Sequence, residues 1–352
     1  MVGADGQLAL PWLAPWLAAA RRLQTHALLV HGRRGIGQWE LSLTLAQAWL
    51  CEAPAEPRPC GHCASCRLVQ AHSHPDLCVL LPEALQAALG WSSGEADGDD
   101  AGADKKTRQP SKEIKVDAVR AAVAFAQTSS ARGRGKVLLV HPAERMNGIA
   151  ANALLKTLEE PPGEARFVLG CAAPEALLPT IRSRCQALAL APPEPAVATA
   201  WLAARDVARA EVLLAAAGGQ PLEALQWAQQ GLDAAAWLRL PQDVARGDAG
   251  LLAGWPLPRV VDALQKLCHD TCCVASAAPP RYFPRTALVA TPAMHDGLLA
   301  WSRELGLAAR HAEHPWNAGL MIEALVAQGA KALAGADNAR SGARDVSVNS
   351  RG

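Results

Sequence analysis

Four stretches of this 352-residue chain are apolar without alternation: residues 27–31 (ALLVH), 77–81 (LCVLL), 136–140 (KVLLV) and 167–171 (FVLGC). Continuous short runs of this kind belong to strands of a parallel sheet that is covered on both faces. Between them the apolar residues change to helical spacing. Leu41, Leu45 and Trp49 predict a helix that runs out at Leu50, and Val119, Val123 and Ala126 predict a second. Leu154, Leu155 and Leu158 predict a third, closed by Glu159, Glu160, Pro161 and Pro162, because Pro161 biases Glu160 out of the helical region. A short helix after the last strand then delivers Ser183, Arg184 and Cys185. Strands alternating with helices predict an α/β module.

The ends of the chain read differently. Residues 8–23 (LALPWLAPWLAAARRL) predict an amphipathic first helix with Trp12, Leu13, Trp16 and Leu17 facing a core. Its two arginines follow the apolar part and Pro11 and Pro15 interrupt it, which argues against a signal peptide. From Pro192 and Pro193 onward the pattern is helical throughout, with segments at 197–205 and 208–217 and longer periodic stretches between 233 and 331. Residues 92–112 are rich in Gly, Ser, Asp and Lys and predict a mobile loop, and residues 336–352 predict a disordered tail.

Composition adjusts this picture in three ways. At 50% hydrophobic and 19% charged residues the chain can bury two or three cores, and its Ala and Leu content with one Tyr and three Phe favours helix, the 11 Trp aside. The net charge of +1 supplies no general attraction to nucleic acid, so any such contact comes from a local patch or from partner chains. No apolar run reaches the roughly 18 residues of a membrane span. A cytoplasmic protein is expected, with some of the ten Cys holding metal and others buried as thiols.

The candidate chemistry begins after the first strand, where Gly32 and Gly37 have the G-x-x-x-x-G spacing of a phosphate-binding loop between a strand and a helix. The next two positions call for Lys on the β- and γ-phosphates and Ser or Thr on magnesium; they hold Gln38 and Trp39. A neutral amide lacks the charge and an indole cannot ligate magnesium. After the strand at 136–140, where acidic residues would hold magnesium and activate water, stand His141 and Pro142, and the first carboxylate is Glu144. Two losses together argue against ATP hydrolysis. Cys51, Cys60, Cys63 and Cys66 form a C-x8-C-x2-C-x2-C array, four soft thiolates at the spacing of a closed, structural zinc site. His62, His72 and His74 lie within reach as substitute ligands but read as surface residues, and Cys268, Cys272 and Cys273 read as buried thiols.

The glycine loop, the cysteine array, NALLKTLEEPP at 152–162 and SRC at 183–185 resemble, between about residues 28 and 193, the delta-prime subunits of the bacterial DNA polymerase III clamp loader, which are AAA+ proteins. The ATP-hydrolysing gamma/tau subunits share the last two motifs and the cysteines; the altered glycine loop and missing acidic pair put this chain with the non-hydrolysing branch. The resemblance implies a RecA-like module over 1–191 with a zinc insertion at about 51–66, a helical lid over 192–232 and a helical collar over 233–335. It implies that Arg184 is an arginine finger for a neighbouring subunit's ATP site, with ATP bound only in neighbours. Cys171 and Ala172 stand where hydrolysing relatives carry sensor threonines, and Leu222 where they carry a sensor arginine. The implied partners are gamma/tau and delta subunits in a hetero-pentamer, acting with the sliding clamp and primed DNA. Two other readings remain: an active gamma/tau-type ATPase, and a zinc-dependent nucleic-acid-binding protein.

Overall fold

The computed structural model describes residues 1–54, 57–91, 110–311 and 317–334. The loop expected at 92–112 lies outside these residues except for 110–112, and the tail expected at 336–352 lies wholly outside them. The chain forms two compact units, Met1–Glu194 and Pro195–Gly352.

The first unit runs α1 (Ala14–Arg22), β1 (Ala27–His31), α2 (Gln38–Leu50), α3 (Ala64–Gln70), β2 (Leu77–Leu80), α4 (Glu83–Gln86), α5 (Val116–Gln127), β3 (Val137–Val140), α6 (Gly148–Glu159), β4 (Arg166–Cys171), α7 (Pro179–Arg182) and β5 (Gln186–Ala189). The five strands form one parallel sheet in the order β2-β3-β4-β1-β5. With the glycine loop leaving β1, this is the RecA-like, AAA+ arrangement expected. Successive side chains of a strand point to opposite faces. In β3, Leu138 and Val140 accordingly join the core built with α5 and α6, while Val137 and Leu139 join the one built with α2. That two-sided burial explains the unbroken apolar run; truncating a fully buried Leu138 or Phe167 to Ala would cost about 2–5 kcal/mol.

Two details depart from the expected pattern. The fifth strand was not foreseen: β5 is an edge strand in which only Leu188 is buried, so it carries no apolar run. The first helix begins with a single 3-10 turn at Pro11–Leu13, and Trp16 is half-buried while Trp12, Leu13 and Leu17 are buried.

The second unit is all helical: α8 (Pro195–Ala203), α9 (Ala210–Ala216), α10 (Pro221–Gln229), α11 (Ala234–Ala245), α12 (Leu257–Ala275), α13 (His295–Arg310) and α14 (Ala318–Leu333). It completes the α/β plus all-α class expected. Its anchor is Asp270, fully buried on α12, which accepts the backbone N–H groups of Arg281 (2.9 Å), Tyr282 (2.6 Å) and Phe283 (2.8 Å). A buried carboxylate is tolerated only when its lone pairs are filled in this way. The loop so pinned stacks Phe283 on Trp237 of α11, with ring centroids 4.6 Å apart and planes within 8°. Of the three helical cysteines only Cys268 is buried, its thiol donating to Leu298 O across to α13; Cys272 and Cys273 are half-buried, which corrects the expectation for those two.

Candidate functional site

The glycine loop joins β1 to α2. Gly32 N–H donates to Cys171 O at 3.3 Å, and Gly37, at φ 111°, caps α2. Both glycines are sterically required. A Cβ on Gly32 would lie 2.8 Å from Leu190 O, and one on Gly37 2.9 Å from Leu10 Cδ1. Gln38 does more than lack a charge. Its side chain is buried and turns back, with Nε2 donating to Gly32 O at 2.5 Å and to Arg33 O at 2.6 Å. The amide hydrogens are therefore spent on the carbonyls of the loop itself. Trp12 Nε1 ties the loop from the other side by donating to Ile36 O at 2.8 Å.

Beside the glycine loop stand two rings in contact. Trp39, in the first turn of α2, packs on His141, which follows β3, with centroids 5.4 Å apart. Trp91 meets Trp39 edge-on at 6.0 Å and stacks on His72 at 4.0 Å, so four rings form a continuous column. Burial lowers the His141 pKa to about 4, against small opposing effects of Glu144 and the Gly170 backbone, and its Nδ1 is buried without a hydrogen-bond partner. Glu144, the first carboxylate after β3, accepts the N–H of Ala172 at 3.0 Å. Its role there is to hold the end of β4. Cys171 is a buried thiol pushed up to about 12 by burial and then by the Glu144 charge.

The four expected cysteines come together. Cys51 follows α2, Cys60 and Cys63 lie in the loop, and Cys66 sits in the first turn of α3, with all four sulfurs within 4.8 Å of one another. Cys51 and Cys63 Sγ are 3.9 Å apart and Cys60 and Cys66 Sγ 4.0 Å. Tetrahedral zinc with Zn–S bonds of about 2.3 Å requires sulfurs about 3.8 Å apart, so the cluster fits such an ion. Backbone N–H groups of Cys60, Cys63 and Cys66 point at the sulfurs of Cys51, Cys60 and Cys63 at 3.4–3.5 Å, a shell that favours thiolate. For Cys60 these and the His62 N–H outweigh burial and bring the thiol down to about 7, whereas burial raises Cys51 and Cys66.

Behind the cluster lies a polar network that single-residue reasoning missed. His74, read from sequence as a surface residue, is buried. The Asp76 N–H donates to its Nδ1 at 3.0 Å, so its Nε2–H is the donor to Ser65 Oγ, also at 3.0 Å. Asp76, fully buried, accepts from Ala131 N, Arg132 N and Ser130 Oγ and pairs with Lys136 Nζ at 3.0 Å. Burial would raise its carboxyl, but these donors outweigh that and hold it below the usual carboxylate range. Arg132 Nε completes the network on Glu52 (2.7 Å) and Ser65 (3.1 Å), neighbours of Cys51 and Cys66. No pattern in the sequence signals it, because its members are scattered from Glu52 to Lys136.

Arg184 stands two residues past α7, in the turn between α7 and β5. Its side chain is 31% exposed and paired with Glu159, the last residue of α6. It is remote in sequence from the glycine loop, and none of its hydrogen bonds goes to that loop.

In sequence the chain is similar to subunits of DNA polymerase III. The delta' subunit of DNA polymerase III from Pseudomonas aeruginosa is 40% identical over 228 residues, which are 63% of this chain and 62% of that protein. The delta' subunit from Escherichia coli K12 is 37% identical over 223 residues, 61% and 59% of the two chains. The DNA polymerase III subunit tau of Salmonella typhimurium is 32% identical over 160 residues, 46% of this chain and 21% of the relative. The chain thus matches about three fifths of the length of its delta' relatives. No helix among the described residues is long and apolar enough to cross a membrane. A family model described as DNA polymerase III, delta subunit, matches residues 17–194, half of the chain, and it is to this family that the chain belongs.

Proposed function

We propose that the chain is a non-hydrolysing subunit of a DNA polymerase III clamp loader, and that it places Arg184 in the ATP site of a neighbouring subunit while the assembly loads a sliding clamp onto primed DNA. The observation that carries this reading is the fate of Gln38. Its amide hydrogens are consumed by Gly32 O and Arg33 O, so the side chain that follows the glycine loop has neither a charge nor a free donor to offer a phosphate. An arginine with no competent site at home serves one elsewhere. A guanidinium beside a γ-phosphate stabilises charge in the transition state, and such fingers contribute on the order of 10³–10⁵ in rate.

The partners in this reading are gamma/tau and delta subunits in a hetero-pentamer in the cytoplasm, with ATP only in the neighbours. Residues 1–191 form the RecA-like module, 192–232 a lid and 233–335 the collar that joins the ring. Cys51, Cys60, Cys63 and Cys66 hold one zinc ion whose role is structural, since a shell of four thiolates leaves no coordination position for a substrate. The deciding experiment is ATP hydrolysis by the purified chain alone and then mixed with gamma/tau and delta subunits. No turnover alone, and stimulated turnover in the mixture, is expected. The likeness to tau supplies the second reading, an ATPase in its own right, and turnover by the isolated chain would establish it instead.

A further inference from the structure

The guanidinium of Arg184 is held at three nitrogens by its own module. Glu159 Oε1 accepts from Nε at 2.5 Å and, more closely still, from Nη2. Nη1 donates to Thr180 O at 2.8 Å, with a longer approach to Ser183 Oγ at 3.4 Å. Guanidinium has five N–H donors in one plane. Glu159 occupies the side edge formed by Nε and Nη2. Thr180 O, one helical turn back along the chain, takes one hydrogen of Nη1. What remains is the second hydrogen of Nη2, which has no partner among the described residues, and the second of Nη1, met only by the long approach to Ser183 Oγ. Two parallel N–H bonds from a guanidinium match two oxygens of a phosphoryl group.

We propose that Glu159 is the positioning residue of Arg184: it fixes the guanidinium by its side edge and thereby presents the remaining hydrogens to the γ-phosphate of a neighbouring subunit. This rests on the finger reading of Arg184. An unrestrained arginine divides its time among many rotamers, whereas one braced by a carboxylate and a backbone carbonyl is already in place when the phosphate arrives. The brace itself is made by the local fold. Glu159 closes α6, where Pro161 and Pro162 turn the chain away, and Thr180 belongs to the single turn of α7. As an exposed ion pair it adds little to stability. As a positioning device it matters, because a displacement of about 1 Å at a reacting centre costs on the order of 10²-fold in rate.

The test uses the reconstituted complex with its ATP-hydrolysing partners, reading kcat and KM for ATP and checking assembly by size-exclusion chromatography. Glu159→Ala should lower kcat about tenfold or more, with assembly and KM unchanged. Glu159→Gln should recover most of the rate, since the amide oxygen accepts the same two hydrogens, and Glu159→Lys should be at least as slow as the Ala variant. In an Arg184→Ala background Glu159→Ala should have no further effect. A kcat within twofold of wild type for both Glu159→Ala and Glu159→Lys, or an additional loss in the Arg184→Ala background, overturns the positioning role. If Arg184→Ala itself leaves turnover unchanged, the finger reading fails instead, and the brace fails with it.

Discussion

The rings of Trp39 and His141 pack at a tilt of 40°, with centroids 5.4 Å apart, so the second residue of α2, next after Gln38, is in contact with the residue that follows β3. The two rings fill the space between α2 and the end of β3 with one aromatic contact. Restoring a single charge therefore should not restore chemistry. Gln38→Lys is expected to leave ATP turnover by the isolated chain at background in a phosphate-release assay. Measurable turnover in that variant would mean that the rings do not block the site.

The same contact predicts a dependence on pH. His141 is held neutral by burial, with a pKa of about 4 against an ordinary 6.5, and the charged groups facing it are Glu144 and Arg34. Between these values the unfolded chain binds a proton that the folded chain does not, so stability rises with pH over that interval and is lost as pH falls from about 6.5 to 4. The size is on the order of 2–3 kcal/mol. Urea unfolding at pH 7 and pH 5 should show the loss, and His141→Phe should flatten it. An equal slope in that variant would assign the effect to other groups.

Arg184→Ala should reduce ATP hydrolysis by the assembled loader by about 10³-fold at the site it serves. The cost in stability should stay below about 1 kcal/mol, because its partner Glu159 is 46% exposed on the side chain and such pairs contribute little. Thermal unfolding and partner-stimulated hydrolysis, measured on the same preparation, separate the two effects.

One zinc ion per chain is expected from elemental analysis of freshly reduced protein. Stripping it with a chelator should lower the thermal midpoint of the first unit, because binding energy at a site absent from the unfolded chain is folding energy. Cys66→Ser should do the same, its sulfur being fully buried against the other three. Reduced protein that contains no metal and is indifferent to chelator would remove the ion from the account.

In the second unit, Asp270→Ala deprives three backbone N–H groups of their acceptor. Each buried donor left unsatisfied costs about 1–3 kcal/mol, so a loss on the order of 3 kcal/mol or more is expected, together with a weakened near-ultraviolet signal from the Trp237–Phe283 stack. A variant with native stability and spectrum would show that the loop finds other partners.

Much of this molecule is legible from single positions because the forces involved are local. The strands β1, β3 and β4 announce themselves because burial on both faces demands an apolar residue at every step, and α6 ends where proline forbids continuation. The cysteine array is legible for a related reason: ligands a few residues apart are confined by the chain to one small volume. The edge strand β5 is not, since three of its four residues are exposed and its partner β1 is some 150 residues away. Nor is the network of Glu52, Ser65, His74, Asp76, Arg132 and Lys136, because polar side chains carry no periodicity and meet only when distant segments have folded.

That Gln38 and Trp39 follow the glycine loop, that His141 and Pro142 follow β3, and that an arginine stands at 184 are matters of residue identity alone. What those side chains touch was decided by tertiary contacts: Gln38 donating to the carbonyls of the loop before it, Trp39 packing on His141, and Glu159 reaching Arg184 from the end of α6. Chemistry that a residue lacks can be read from its side chain, whereas the group it pairs with depends on which surfaces the packed core brings together.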